Sequence, residues 1–243
     1  MFTNVAFLPD LIPPAQFRGA IAVMIDVFRA STSIIHGSAN GASGFAPCLN
    51  ISDARSEAAA RPGSLLAGER GGVAIDGFDL DNSPAKYNRA TLDGRFVVMT
   101  TTNGTRALLH AAEADEVLVG AFVNRAAVVR ELVQRRKDVI LVCAGTDGCV
   151  TSEDVLFAGS VVQDLSRQHP DLTLDDPARI AMDFFAANSQ NPGTLLAAAK
   201  AGLGGSNLMR LGFDADIELA MTPDLFSVVP RFDATTGKIQ ATG

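Results

Sequence analysis

The sequence predicts a layered α/β fold with a mostly helical C-terminal segment, on three observations. Short apolar runs alternate with helical patterns along residues 20–168. Most of those runs are apolar at every position, the pattern of strands covered on both faces rather than of strands with one wet side. After Gln168 the strand-like runs give way to helix starts and glycine breaks. The 243 residues, 47% of them hydrophobic, suffice for a sizeable core at roughly 150 residues per domain.

In chain order, strands are expected at Ile21 to Val27, Gly44 to Leu49, Ser64 to Ala67, Arg95 to Thr100, Glu116 to Val119 and Val139 to Cys143. Helices fall between them at Ser31 to Ala39, Ser52 to Ala60, Thr105 to Ala114, Asn124 to Arg136 and Ser152 to Leu165. In the fourth of these, Val128, Val129, Leu132 and Val133 make an apolar stripe and Arg130, Glu131, Gln134 and Arg135 a wet face, with Asn124 placed to cap. Residues 76–87 read as a turn-rich loop in which Asn82 or Ser83 caps a short helix begun by Pro84. Asp175-Asp176-Pro177 opens a helix through Ala187, Pro192 opens another, and Gly202, Gly204 and Gly205 interrupt the next. Phe226 to Val229 fits an edge strand ended by Pro230, and Asp233 to Gly243 reads as a poorly ordered tail. The expected division is an α/β core over residues 1–168, a helical segment over 169–232 packed on it within the same domain, and a tail over 233–243.

Charge and composition exclude several classes. Twenty Lys and Arg against 27 Asp and Glu leave a net charge of -7, so the positive field that nucleic acid or an anionic membrane selects for is missing. No apolar run approaches the roughly 20 residues of a spanning helix. The first residues lack the basic and long apolar stretches of a leader, and Cys48, Cys143 and Cys149 form no C-x-x-C. These features point to reduced thiols and a cytoplasmic protein without nucleic-acid or membrane partners.

Three buried strands run into short polar loops and then into helices rich in small residues. They are Val23 to Asp26 leading to Arg29-Ala30-Ser31-Thr32, Val97 to Thr100 leading to Asn103-Gly104-Thr105-Arg106, and Leu141 to Ala144 leading to Ser152-Glu153-Asp154. In a parallel sheet such loops lie beyond the carboxyl ends of the strands, where α/β domains bind ligands, so the three are expected to converge. The stretch Thr100-Thr101-Thr102-Asn103-Gly104-Thr105-Arg106 offers hydroxyls, a glycine, helix N-terminal amides and an arginine to a tetrahedral oxyanion. A capped helix start without a ligand explains it equally well. Asp26 ends an apolar strand and needs a metal, a cation or several donors, unless it merely caps the next helix or pairs with Arg29. Glu69-Arg70-Gly71-Gly72 fits either a ligand loop or a solvated turn, and Glu153 and Asp154 suit a helix N-terminus whatever their function. Acidic oxygens without a Cys/His cluster favour Mg²⁺ over zinc. Neither a Walker loop, a dinucleotide fingerprint nor a nucleophile elbow is present, and His36, His110 and His169 read as packing or surface residues.

The segments Ile25-Asp26-Val27-Phe28-Arg29-Ala30-Ser31-Thr32, Gly68-Glu69-Arg70-Gly71-Gly72, Gly77-Phe78-Asp79-Leu80, Asn82-Ser83-Pro84, Thr101-Thr102-Asn103-Gly104-Thr105-Arg106-Ala107-Leu108 and Cys143-Ala144-Gly145 with Ser152-Glu153-Asp154 follow in a distinctive order. Together they resemble the 2-phosphosulfolactate phosphatase (ComB-like) family, from about residue 20 to residue 165 and more loosely through Leu208 to Pro230. The resemblance implies a three-layer α/β/α fold with a mixed, largely parallel central sheet. It also implies a Mg²⁺-dependent phosphomonoesterase that converts 2-phospho-3-sulfolactate to 3-sulfolactate and phosphate, a step toward coenzyme M. Asp81 stands where glycine is expected, Lys86 where an acidic residue is expected, and Asn207 where relatives often carry histidine.

On this reading Asp26, Glu69 and Asp154 are catalytic, and Asp26, Glu69, Glu153 and Asp154 are the candidate Mg²⁺ ligands. Arg29, Arg70, Asn82, Ser83, Thr101, Thr102, Asn103, Gly104, Thr105 and Arg106 would hold a small anionic phosphate ester. Attack by a metal-activated water is favoured over an aspartyl phosphate, because Asp26 lacks a D-x-D-x-T-like context. Two alternatives stay open: a Mg²⁺-dependent phosphatase of another small phosphocarboxylic acid, and a non-catalytic anion-binding module. An uncovered apolar face on the C-terminal helices would make a homo-oligomer unsurprising.

Overall fold

The computed structural model describes residues 1–242. Its first half consists of β1 (Phe2–Ala6), β2 (Ala20–Ile25), α1 (Ala30–Ala39), β3 (Gly44–Cys48), α2 (Ile51–Ala59), β4 (Leu65–Arg70), β5 (Val73–Ala74), α3 (Arg89–Leu92), β6 (Phe96–Thr100) and α4 (Gly104–His110). There follow β7 (Glu116–Gly120), α5 (Arg125–Arg135), β8 (Asp138–Cys143), α6 (Ser152–Gln168), β9 (Thr173–Leu174), α7 (Asp176–Asn188), α8 (Pro192–Ala201), α9 (Leu203–Arg210), α10 (Asp214–Ala220), β10 (Val229–Asp233) and β11 (Lys238–Thr242). Every strand and helix expected within residues 20–168 forms, with shifted ends. The strands make one mixed sheet in the order β5-β4-β6-β3-β11-β10-β7-β2-β8-β1-β9.

Helices cover both faces, as the continuously apolar strands require. From β2, Ile21, Val23 and Ile25 join Val128 and Leu132 of α5 and Val161 and Leu165 of α6 in one core. The alternate residues Ala22 and Met24 join Ile34 and Ile35 of α1 and Leu108 of α4 in a second. Alternation of side chains across the pleat thus feeds two cores from one strand. The α/β class and the mixed, largely parallel sheet are borne out.

The sheet consists of two parallel blocks, β4-β6-β3 and β7-β2-β8-β1-β9. The antiparallel hairpin β10–β11 joins them, pairing with β7 on one side and β3 on the other. Two expectations are corrected here. Of the expected edge strand Phe226 to Val229 only Val229 is strand; β10 starts there and runs through Pro230 to Asp233 inside the sheet, pairing with β7 only at Arg231 and Phe232, past the proline whose nitrogen cannot donate. Residues 233–242 are a turn and a strand, not a tail; Asp233 Oδ1 accepts from Thr235 N at 2.8 Å and Gly237 N donates to Asp233 O at 2.8 Å. Gly243 lies outside the described residues.

Asn124 does not cap α5. Its side chain accepts from Ala121 N at 3.0 Å and donates to Val119 O at 3.1 Å and Val228 O at 3.0 Å. The free amide of Ala126 is met instead by Asp224 Oδ1 at 2.6 Å, a residue 98 positions away.

Because the hairpin joins the two halves of the sheet, the most deeply buried of its described apolar side chains should matter out of proportion to its place near the chain end. Ile239 is 1% exposed. Ile239→Ala is expected to cost about 2–5 kcal/mol in urea unfolding, against less than about 0.5 kcal/mol for Thr235→Ala on the exposed turn.

Candidate active site

The strand-end loops do converge. Asp26 after β2, Glu69 at the end of β4, Thr102 and Asn103 after β6, and Thr146 and Asp147 after β8 line one cavity of about 270 Å³. Its remaining wall comes from the C-terminal segment, where Gly204, Asn207, Leu208 and Leu211 repeat at helical spacing along α9 and into the turn behind it, with Arg210 beside them.

At the end of β2 the chain turns sharply: Asp26 O accepts from Ser31 N at 2.9 Å and Asp26 N donates to Ser31 Oγ at 2.9 Å. This leaves Asp26 Oδ1 accepting from Ala30 N at 3.1 Å, so the carboxylate does cap α1. No group among the described residues donates to its Oδ2. A Cβ on Gly104 would lie 2.6 Å from that oxygen, so a glycine here is what lets α4 start against the carboxylate. The other structural alternative, a pair with Arg29, does not form; Arg29 bonds Asp216 instead.

Asp154 stands behind Asp26. Its Oδ1 accepts from Val27 N at 2.9 Å and its Oδ2 from Gly145 N at 3.0 Å. Glu153 is also buried; its Oε2 has no partner, and its Oε1 would lie 2.1 Å from a Cβ on Gly204, so α9 packs directly on it. Burial, reinforced by the Asp154 charge, pushes the Asp26 carboxyl up to about 8. Burial and the charge of Glu153 do the same for Asp154, to about 8, against its two amide hydrogen bonds. Burial lifts Glu153 to about 7. Three acids share one desolvated place, and a cation there would relieve all of them.

Glu69 is held differently. Its Oε1 accepts from Thr102 N at 2.8 Å and Thr102 Oγ1 at 2.9 Å, and its Oε2 from Gly72 N at 2.7 Å. It therefore ties the loop after β6 to the β4–β5 turn while presenting its carboxylate to the cavity. Asn103 Oδ1 accepts from Asp147 N at 3.2 Å, which leaves the amide nitrogen free to donate. Asn82 lines the cavity with its buried Oδ1 unpartnered.

The arginines divide. Arg29 lines the cavity but is 3% exposed and bonded to Asp216 Oδ2 at 2.5 Å and Gly72 O at 2.8 Å, with its guanidinium 4.2 Å above the Phe213 ring. Arg70 turns to Glu69 O, Leu49 O and Thr100 Oγ1, and Arg106 is exposed and paired with Asp10; neither lines the cavity. Ser83 donates to Asp216 Oδ1 at 2.7 Å, and Thr101 and Thr105 bond each other at 3.0 Å, so these three hydroxyls build the frame. The departures at Asp81 and Lys86 are partners, Nζ to Oδ2 at 2.8 Å. None of the histidines lines the cavity, and the cysteines are unpaired.

Sequence reasoning did not select Arg210, Asn207 or Asp216 as site residues. The sequence predicts a helix interrupted by Gly202, Gly204 and Gly205, yet Leu203–Arg210 is helical through Gly204 and Gly205, and the polar Asn207 on its cavity face is the signal that could have found it. Among the described residues, no three His, Cys, Asp or Glu side chains close around one point. The expected ligand set of Asp26, Glu69, Glu153 and Asp154 therefore does not come together, because backbone and hydroxyl donors occupy both oxygens of Glu69 and of Asp154; a Mg²⁺ here would have to rest on one or two carboxylates and take waters or phosphate oxygens for the rest.

The family model for 2-phosphosulpholactate phosphatase matches residues 6–235. The chain belongs to that family. It is 38% identical over 220 residues to a probable 2-phosphosulfolactate phosphatase of Caldicellulosiruptor saccharolyticus, covering 88% of this chain and 90% of that protein. A protein of the same description from Thermotoga petrophila is 39% identical over 220 residues, covering 90% and 92% of the two chains. One from Clostridium perfringens is 33% identical over 245 residues, covering 99% and 96%. The match reaches past β10 and so includes the stretch that forms the C-terminal wall of the cavity. Among the described residues no helix is long and apolar enough to cross a membrane.

Asp216 is the partner on which the position of Arg29 depends, with side chains 2% and 6% exposed. Asp216→Ala leaves a buried guanidinium uncompensated and is expected to cost about 3–5 kcal/mol in chemical denaturation. Asp216→Asn, whose single oxygen can still accept from Arg29 while its amide donates to Ser83 Oγ, should cost less.

Proposed function

We propose that this chain is a Mg²⁺-dependent phosphomonoesterase that hydrolyses 2-phospho-3-sulfolactate to 3-sulfolactate and phosphate. The observation that carries the reading is the cavity itself, where the free Oδ2 of Asp26 meets the loops of four strands in a chain of this family. Asp26 would hold the metal, with Glu153 and Asp154 as the buried negative charge behind it. Bound Mg²⁺ would supply neutralisation of the phosphoryl oxygens and orientation of a water.

The chain's own groups account for the rest of the work. Hydrolysis joins a water oxygen to phosphorus while the ester oxygen leaves with the bonding electrons and gains a proton. Asp26 presents its oxygen at the reacting end. Glu69, with both oxygens occupied by three donors, fixes Thr102 and Gly72 and so keeps the loops in register. The free amide of Asn103 and the side chain of Asn82 offer neutral hydrogen bonds to an oxyanion. Arg29, its charge compensated by Asp216, shapes the wall from a place it cannot leave, because Asp216, Gly72 and Phe213 hold it.

Asp26→Asn is expected to keep the fold and lower phosphate release from 2-phosphosulfolactate on the order of 10²–10⁴-fold. Near-normal turnover in that variant sinks the assigned role. The wild-type reaction should stop in EDTA and return with Mg²⁺, and the sulfonated ester should be preferred over plain phosphocarboxylic acids. If no ester is cleaved with Mg²⁺ present, the phosphatase reading fails.

The buried acids also fix a pH dependence. Their pKa values in the metal-free fold lie near 7 to 8, above the ordinary 3.8 for Asp and 4.5 for Glu. Between about pH 4 and pH 8 the folded chain therefore binds more protons than the unfolded one, and its stability falls as pH rises. Melting of the metal-free protein should shift down from pH 5 to pH 8, and the gain in Tm on adding Mg²⁺ should grow over the same range. A Mg²⁺ effect equal at both ends would remove Asp26 and its neighbours as the site.

A further inference from the structure

A substrate that carries phosphate, carboxylate and sulfonate on three carbons needs positive charge at more than its reacting end. Of the arginines expected to supply it, Arg70 and Arg106 do not line the cavity, and Arg29 is neutralised by Asp216. Arg210 does line it, is exposed, and forms no ion pair or hydrogen bond among the described residues. One turn earlier Asn207 also lines the cavity with its side chain unspent.

Helix α9 gives these residues an order. Its Gly204 end rests on Glu153, and at its other end Leu211 Cδ1 would meet a Cβ on Gly72 at 2.8 Å. The helix therefore runs along the cavity from the acidic cluster to the β4–β5 turn. Residues 204 and 210 are separated by about 9 Å of rise at 1.5 Å per residue. Side chains on a helix lean toward its N-terminus, so Arg210 leans toward the reacting end without reaching the acids.

We propose that Arg210, assisted by Asn207, is the subsite that reads the non-phosphate anionic end of the substrate and sets the preference for multiply charged esters. An arginine suits this task because its planar fork binds carboxylate or sulfonate oxygens through two parallel hydrogen bonds. The acidic cluster, where the phosphoryl group would meet the metal, lies at the other end of α9, so the two anionic ends of the substrate meet different groups.

The inference rests on the phosphatase reading, and the test separates the two. Arg210→Met and Arg210→Lys are compared with wild type on 2-phosphosulfolactate, 2-phospholactate and glycerol 2-phosphate, which has no second anion. The ratio of kcat/KM for the anionic esters over glycerol 2-phosphate is expected to fall on the order of 10- to 100-fold in Arg210→Met, mainly through KM, with partial recovery in Arg210→Lys. A fall confined to 2-phosphosulfolactate assigns the sulfonate to Arg210, and one shared with 2-phospholactate assigns the carboxylate. An unchanged ratio overturns the proposal while leaving the phosphatase standing. Calorimetric binding of 3-sulfolactate gives a readout without turnover: weaker binding to Arg210→Met supports the subsite, and equal binding overturns it. A wild-type protein that neither cleaves nor binds these compounds overturns both readings.

Discussion

Three carboxylates, Asp26, Glu153 and Asp154, are buried together where each makes the others harder to ionise, and the surrounding structure is arranged around that conflict. Backbone amides of Ala30 and Val27, from the β2–α1 connection, and of Gly145, after β8, come to Asp26 and Asp154. Bringing those amides in requires strand ends of β2 and β8 side by side, which their parallel pairing provides. It also requires glycine at residues 104 and 204, where any side chain would run into a carboxylate oxygen. The amides offset only part of the desolvation, since all three acids remain well above the ordinary carboxylate range. What remains is a standing attraction for a cation, maintained by the fold at a cost to its own stability.

The C-terminal third completes both the sheet and the site. Asp216 of α10 holds Arg29, α9 forms the far wall of the cavity, and Asp224 caps α5. The hairpin β10–β11 then joins two parallel blocks that share no strand pairing of their own. These contacts span 98 to 187 residues in sequence, so the cavity exists only once nearly the whole chain has folded. An active site assembled this way is coupled to global stability, because no local segment retains it alone.

The core strands were legible because burial on both faces writes itself as uninterrupted apolar sequence, as in Ala20–Ile25. The hairpin was not, since Pro230 and the polar run after Asp233 carry the marks of an edge and a tail. Its strands are placed by neighbours far away in sequence, not by their own composition. The strand-end loops were legible for the same reason as the strands. Side-chain direction was not: Arg29, Arg70 and Arg106 look alike in sequence, yet one is locked in a buried pair, one bonds loop carbonyls and a hydroxyl, and one meets Asp10 on the surface. The partner that decides the first of these lies 187 residues away.

An acidic chain with net charge -7 must still admit a multiply charged anion, and the distribution of its cations resolves this. Most arginines are spent on structure, as in the Arg125 pair with Asp164 and the Arg231 pairs with Glu116 and Glu131. Even the departures at Asp81 and Lys86 cancel each other beside the cavity rather than altering its charge. Positive charge inside is therefore scarce and placed: Arg29 fixed and compensated at the wall, Arg210 uncompensated at the end of α9. The acids occupy the opposite end, where a divalent ion would reverse their sign for the phosphoryl group. Selectivity then follows from separation along one helix. An anion lacking a second charged group gains nothing from Arg210, whereas one that carries it is met at both ends of the cavity.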